Sequence, residues 1–193
     1  VITAGNDKIA RIWNAGAVER EFKDHTAAVV AVAVAADNVV SADAEGGVLF
    51  WTPADGKQVG KLAAPKKAVT ALAVLPNTKT VAVGYADEVR FYGAPTTMEK
   101  DVKAFPHPKP VLAVAFAADG KKIISFCADG KVRVLGPDTA KEDSSYDMTA
   151  KDKVAAVALS VDRTKFAEVG GGTLTVRPVA ADGKPAFTVP ADG

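Results

Sequence analysis

Apolar and polar positions alternate in short runs along this chain, and the clearest run is residues 111–116. There Leu112, Val114 and Phe116 share one face, while Val111, Ala113 and Ala115 share the other. A period of two marks a strand packed on both sides, with little room on the alanine side. Residues 107–135 as a whole read as three short strands divided by two turns. Each turn carries Asp-Gly, at Asp119-Gly120 and Asp129-Gly130, and such pairs supply the positive backbone angles of tight hairpins.

The same unit recurs. Alanine pairs stand at Ala31/Ala33, Ala71/Ala73, Ala113/Ala115 and Ala156/Ala158, with spacings of 40, 42 and 43 residues. The end of the third strand of each unit falls at Trp13, Trp51, Tyr92, Leu135 and Arg177, with spacings of 38, 41, 43 and 42. Two independent markers keep nearly one period. A period near forty with several strands per unit predicts the blades of a propeller.

The first blade is predicted to lack its inner strand, with strands at 1–5, 9–13 and 19–22. The second takes 29–34, 38–41, 48–51 and 59–62; the third 69–74, 80–83, 88–92 and roughly 100–105. The fourth follows 111–116 with the two strands after it and a polar outer strand near 144–148. The fifth takes 154–159, 165–169, 174–176 and 186–189. Connections such as Thr52-Pro53-Ala54-Asp55-Gly56 and Gly136-Pro137-Asp138 are rich in loop formers. The expected organisation is one array over residues 1–193: a partial blade (1–25), then blades at 26–65, 66–107, 108–150 and 151–193, within a larger ring or chain. Stacked blades leave exposed faces and inner edges unless the ring closes. Closure is expected from a further segment, another copy or a partner chain.

Composition changes this picture little. Hydrophobic residues make up 48% of the chain, ample for a core. The formal net charge is +1, from 24 basic and 23 acidic side chains, which argues against a nucleic-acid partner. The longest apolar run, residues 27–36, is about half the length of a membrane helix, so no membrane span is expected. A single cysteine excludes an intrachain disulfide and fits a reducing, cytoplasmic setting. No signal peptide is visible; the sequence opens at Val1, inside a repeat.

These units resemble WD40 repeats. Residues 116–121, Phe-Ala-Ala-Asp-Gly-Lys, are similar to that family's apolar-Ser-Pro-Asp-Gly-Lys turn. Residues 128–135 are similar to its Asp-Gly-x-Val-x-aromatic-Trp strand. Ile12-Trp13-Asn14 and Phe50-Trp51-Thr52 stand where the family has Trp-Asp, the Asp being replaced in both. The resemblance implies an all-β, WD40-type β-propeller segment of four-stranded antiparallel blades.

It also implies a structural tetrad of His, Ser or Thr, Asp and Trp within a blade. His25, Ser41, Glu45 and Trp51 match it, with Glu for Asp. His107, Ser125 and Asp129 match three positions, and Leu135 replaces Trp. Thr3, Asp7 and Trp13 match three, their histidine falling before Val1. The third blade has Pro65 at the histidine position, and the fifth has Ala150 there with no clear Asp.

No reading of catalytic, metal or cofactor chemistry emerges. The two histidines are two blades apart and lack the carboxylates, cysteines or nucleophile that would complete a site. Cys127 has no paired cysteine or haem motif and reads as a small buried residue. Gly170-Gly171-Gly172 lacks the Gly-Lys-Ser/Thr of a phosphate loop and reads as a hairpin. Glu142, Asp143 and Asp147 read as a solvated outer strand.

The second-to-third-strand hairpins and the connections between blades share one end of such an array. Those connections carry Lys66, Lys67, Lys109, Lys151 and Lys153; the hairpins carry Asp7, Asp43, Glu45, Asp87, Glu88 and Asp129. Mixed charge there fits a polar protein partner, internal pairing or ordinary solvated loops. The resemblance implies a non-catalytic scaffold for a protein or peptide partner. Two further readings are a regulatory or assembly module of a longer enzyme or electron-transfer protein, and a ligand-binding or catalytic propeller. The last would need polar groups on inner strands that carry mainly Val, Ala and Leu.

Overall fold

The computed structural model describes residues 1–62, 65–93, 102–150, 154–179 and 187–190, and every helix or strand among them is a strand. The first sheet has three strands, β1 (Ile2–Ala4), β2 (Ala10–Asn14) and β3 (Ala17–Phe22). Four four-stranded sheets follow. The second holds β4 (Val29–Ala35), β5 (Asn38–Asp43), β6 (Val48–Trp51) and β7 (Gln58–Lys61). The third holds β8 (Val69–Val74), β9 (Val81–Tyr85), β10 (Glu88–Tyr92) and β11 (Lys103–Pro106). The fourth holds β12 (Val111–Phe116), β13 (Ile123–Cys127), β14 (Lys131–Gly136) and β15 (Lys141–Asp147). The fifth holds β16 (Val154–Leu159), β17 (Lys165–Gly170), β18 (Thr173–Pro178) and β19 (Phe187–Pro190). Each is antiparallel with its strands side by side in chain order.

The inner and middle strands lie where the alternation predicts them. Outer strands deviate most. β15 runs three residues earlier than its expected start because its exposed face carries no apolar rhythm. β11 begins at Lys103; Lys100 and Asp101, assigned to it from sequence, lie outside the described residues, as does Ala186 of the last strand. The hairpins at Asp119 and Asp129 form as expected: each carboxylate accepts the backbone N–H two residues on, at 2.9 Å from Lys121 and 3.0 Å from Lys131.

All four inner strands share one irregularity. The ladder slips just before each alanine pair, between Val29 and Ala31, Val69 and Ala71, Val111 and Ala113, and Val154 and Ala156. A bulge there adds local twist, which suits consecutive inner strands that stand side by side.

Hydrophobic burial lies between sheets. Phe22, Val29, Leu49 and Trp51 join the first sheet to the second. Val40, Phe50, Leu62, Val83, Tyr85 and Tyr92 join the second to the third. Val89, Phe105, Val114, Phe116 and Leu135 fill the next junction. Phe126, Met148 and Phe166 anchor the last. Alanines of one inner strand pack toward the following sheet, as Ala31 and Ala113 do. Ala156 and Ala158 of β16 are exposed.

These junctions make a stability prediction. Phe126 is fully buried, and its ring lies 5.0 Å from Phe166 in an edge-on contact. Phe126→Ala is expected to cost about 3–5 kcal/mol in urea unfolding, whereas exposed Val161→Ala is expected to stay within about 0.5 kcal/mol. Equal effects would contradict face-to-face packing of the fourth and fifth sheets.

Candidate functional site

Residues two apart on a strand share a face, so β5 presents Ser41 and Asp43 together toward the connection that carries His25. Ser41 pairs with Val32 and Leu49 across the sheet, and Trp51 stands opposite Val39. Four side chains meet there. Trp51 Nε1–H donates to Ser41 Oγ at 2.6 Å, Ser41 Oγ lies 2.6 Å from His25 Nε2, and His25 Nδ1 lies 2.8 Å from Asp43 Oδ2. The indole can only donate. Ser41 accepts from Trp51; an ionised Asp43 can only accept, which places the proton of a neutral His25 ring on Nδ1, and Ser41 Oγ–H then donates to Nε2. The chain is buried, with Trp51 only 1% exposed and its ring in tilted contact with Phe22, centroids 5.1 Å apart.

The carboxylate of this set is Asp43, which corrects the expectation of Glu45. Glu45 sits on the hairpin with its side chain exposed and contributes only its backbone N–H, which donates to Asp43 Oδ1 at 3.0 Å. Gly47 N donates to the same oxygen at 2.8 Å. A Cβ at Gly47 would fall 2.4 Å from Asp43 Oδ2, so the hairpin needs a glycine for Asp43 to reach His25. The same burial removes Asp43, 2% exposed, from the surface face where sequence had placed it.

In the fourth sheet, His107 and Ser125 meet, with Nε2 to Oγ at 2.8 Å, but Asp129 does not join them. His107 Nδ1–H donates instead to Phe105 O at 2.8 Å. Asp129 is held by Arg133, at 2.5 and 3.2 Å, and Arg133 also lies 3.1 Å from Glu142. Cys127 occupies the position of Asp43, two residues past the serine. It is buried and donates its S–H to Lys109 O at 3.2 Å. The first sheet repeats this division. Trp13 Nε1–H donates to Thr3 Oγ1 at 2.8 Å, while Asp7 pairs with Arg11 at 2.7 Å.

The third and fifth sheets fill the same register differently. Tyr85 and Tyr92 face each other at 3.4 Å, with Val83 at the serine position. In the fifth sheet Glu168 takes the serine position, opposite Val157, and Arg177 takes the tryptophan position, opposite Phe166. Arg177 Nε lies 3.0 Å from Glu168 Oε1, which also accepts Thr149 N–H at 2.8 Å. Arg177 reaches Asp147 O at 3.2 Å and Thr149 Oγ1. The sequence reading missed this buried ion pair. Its signal was a lone Glu inside an apolar strand, in register with an Arg where the other units carry an aromatic or leucine.

Burial and partners shift several groups. Burial pushes the Asp129 carboxyl up, but hydrogen bonds from Arg133 and the Lys131 N–H, with the Arg133 charge beside it, outweigh it and hold it at about 2. Burial draws the His107 imidazole below its ordinary value, against the raising effect of Phe105 O. Lys67 holds the Asp87 carboxyl below its usual range.

At the loop-bearing end, much of the mixed charge is paired internally. Lys67 Nζ bridges Asp87 at 2.7 Å and Glu88 at 3.3 Å, and Glu88 also meets Arg90 at 3.0 Å. Lys66 and Lys109 are exposed and make no ion pair among the described residues. Lys151 and Lys153 lie outside the described residues. Among the described residues no group of three or more His, Cys, Asp or Glu could hold a metal, and no helix is long and apolar enough to cross a membrane.

An all-β succession of one three-stranded and four four-stranded antiparallel sheets, with a His–Ser–Trp hydrogen-bond chain in the second and parts of it in the first and fourth, is consistent with the blades of a β-propeller. Residues 99–134 match the family model described as WD domain, G-beta repeat. The chain thus carries a WD40 repeat within a WD40-type arrangement of blades. The match ends on β14 of the fourth sheet and takes in β11, the outer strand of the third, so the sequence repeat is offset from the sheet. No curated protein matches the chain.

Two measurements check the site. Asp43→Asn is expected to cost about 1–3 kcal/mol of stability, because it disturbs a buried, charge-assisted bond; Glu45→Gln is expected to change it by less than about 0.5 kcal/mol. The reverse ranking would restore Glu45 to the seam. For His107, a depressed folded-state pKa means that the unfolded chain binds more protons below about pH 6.5. Stability from this group is present above that pH and falls as pH drops through the folded value. Urea midpoints at pH 7.5 and 5.5 should show the loss, and His107→Gln should reduce it.

Proposed function

We propose that this chain is a non-catalytic platform that receives a protein or peptide partner on its loop-bearing end, residues 1–193 forming one array of blades. WD40 repeats serve in general as interaction scaffolds. The observation that carries the reading to this end is the contrast between locked and free charge. Lys67, Asp87, Glu88, Arg90, Asp129 and Arg133 are tied to one another, while Lys66, Lys109 and Glu45 stand exposed beside them without a side-chain partner among the described residues. Free charge on a hairpin at Glu45 and on the connections between blades at Lys66 and Lys109 gives a partner points to pair with.

Lysine cross-linking of the chain with whatever partner co-purifies tests the choice of end. Links are expected from Lys66, Lys67 and Lys109. Lys57, Lys79 and Lys121 lie on the opposite set of connections, between first and second or third and fourth strands. Links confined to those three would reverse the assignment.

A further inference from the structure

In the second and fourth sheets a histidine ring from the incoming connection enters the seam, His25 on Ser41 and His107 on Ser125. The fifth sheet has Ala150 at that position, and there the sheet reaches outward instead. Arg177 extends to Asp147 O at 3.2 Å and to Thr149 Oγ1, and Glu168 Oε1 accepts the Thr149 N–H at 2.8 Å. Asp147 ends β15 of the fourth sheet, so the bonds of this pair run from one sheet to the end of the other. We infer that β16–β18 form a conditional cover over the fourth sheet. They leave it as one unit before the rest of the array unfolds, and the Glu168–Arg177 pair decides whether they stay shut.

Three observations set this junction apart. Glu168 is 1% exposed, yet its Oε2 meets no hydrogen-bond donor among the described residues. An unmet buried acceptor is costly, and opening hands it to water. Of the four inner strands, β16 alone has no buried residue. The three strands nevertheless hold to one another: β17 pairs with β18 at every residue from Lys165 to Gly170, and with β16 from Phe166 to Gly170. A unit bonded within and weakly held from outside opens cooperatively.

The pair makes closure conditional. An intact buried ion pair contributes little net stability, because desolvation offsets the attraction, but loss of one partner strands a charge in the interior. Both members must therefore be in place for the junction to stay dry. Behind the cover lie Ile124, Phe126, Val132 and Met148, all buried, an apolar face that the array shows only when β16–β18 are off it.

Hydrogen exchange of the whole chain, read by mass spectrometry across a urea series, tests the inference. Amides of β16–β18 are expected to lose protection together at a urea concentration where β5, β9 and β13 keep theirs. Cys127 is an internal reporter. It is buried on β13 next to Phe126, and so lies on the face turned away from the fifth sheet. Its reaction with a thiol reagent is expected to follow the later transition. Arg177→Met is expected to speed exchange in β16–β18 about a hundredfold, leaving β5 unchanged. Glu168→Leu/Arg177→Met, which removes both charges, is expected to hold the sheet at least as firmly as the unaltered chain does. Loss of protection in all sheets at one urea concentration, Cys127 labelling in step with β16–β18, an Arg177→Met variant that exchanges no faster, or a double variant as open as the single one would overturn the inference.

Discussion

The second, third and fourth sheets each present two largely apolar faces, which a single sheet cannot hide by itself. Covering both requires a neighbouring sheet on each side, and the four apolar clusters are those covers. Each cluster takes side chains from two successive sheets. The fold is thus a succession of junctions, and a substitution in one is felt by the pair of sheets that share it.

Within that packing, one register position on the second strands of the last four sheets faces the preceding sheet, and Ser41, Val83, Ser125 and Glu168 occupy it. Burial makes an unmet hydrogen bond costly. The second, fourth and fifth sheets satisfy the polar occupant by His–Ser–Trp with Asp43, by His–Ser with a backbone carbonyl, and by a Glu–Arg ion pair, whereas the third fills the position with valine and brings a tyrosine pair together beside it. A buried ion pair contributes less net stability than well-packed apolar groups, although loss of one partner is severe. The fifth sheet therefore reaches a similar geometry by a more fragile chemistry.

The seam and the surface are linked through one hairpin. Asp43 orders the turn from inside, and the outside of the same turn carries the exposed Glu45. The buried carboxylate consumes the Glu45 and Gly47 N–H groups, so the charge the turn shows outward is the Glu45 side chain. That division separates a residue that maintains the fold from one that is free to bind, although they stand two positions apart.

Local pattern determined most of the strands and the repeat spacing, since each depends on a period of two; the meeting of His25, Ser41 and Trp51 was legible only through the resemblance to WD40 repeats. The bounds of exposed outer strands such as β15 escaped it because solvated residues need no alternation. Which acid joins each seam was decided by the path of the hairpin. Asp43 shares Ser41's face and lies inside, whereas Asp129 and Asp7 stand near an arginine two positions before the third strand's marker and pair with it instead. The Glu168–Arg177 pair and the free state of Lys66 likewise arise only when distant segments meet, because a charge's partner is set by distance in space and not by its neighbours along the chain.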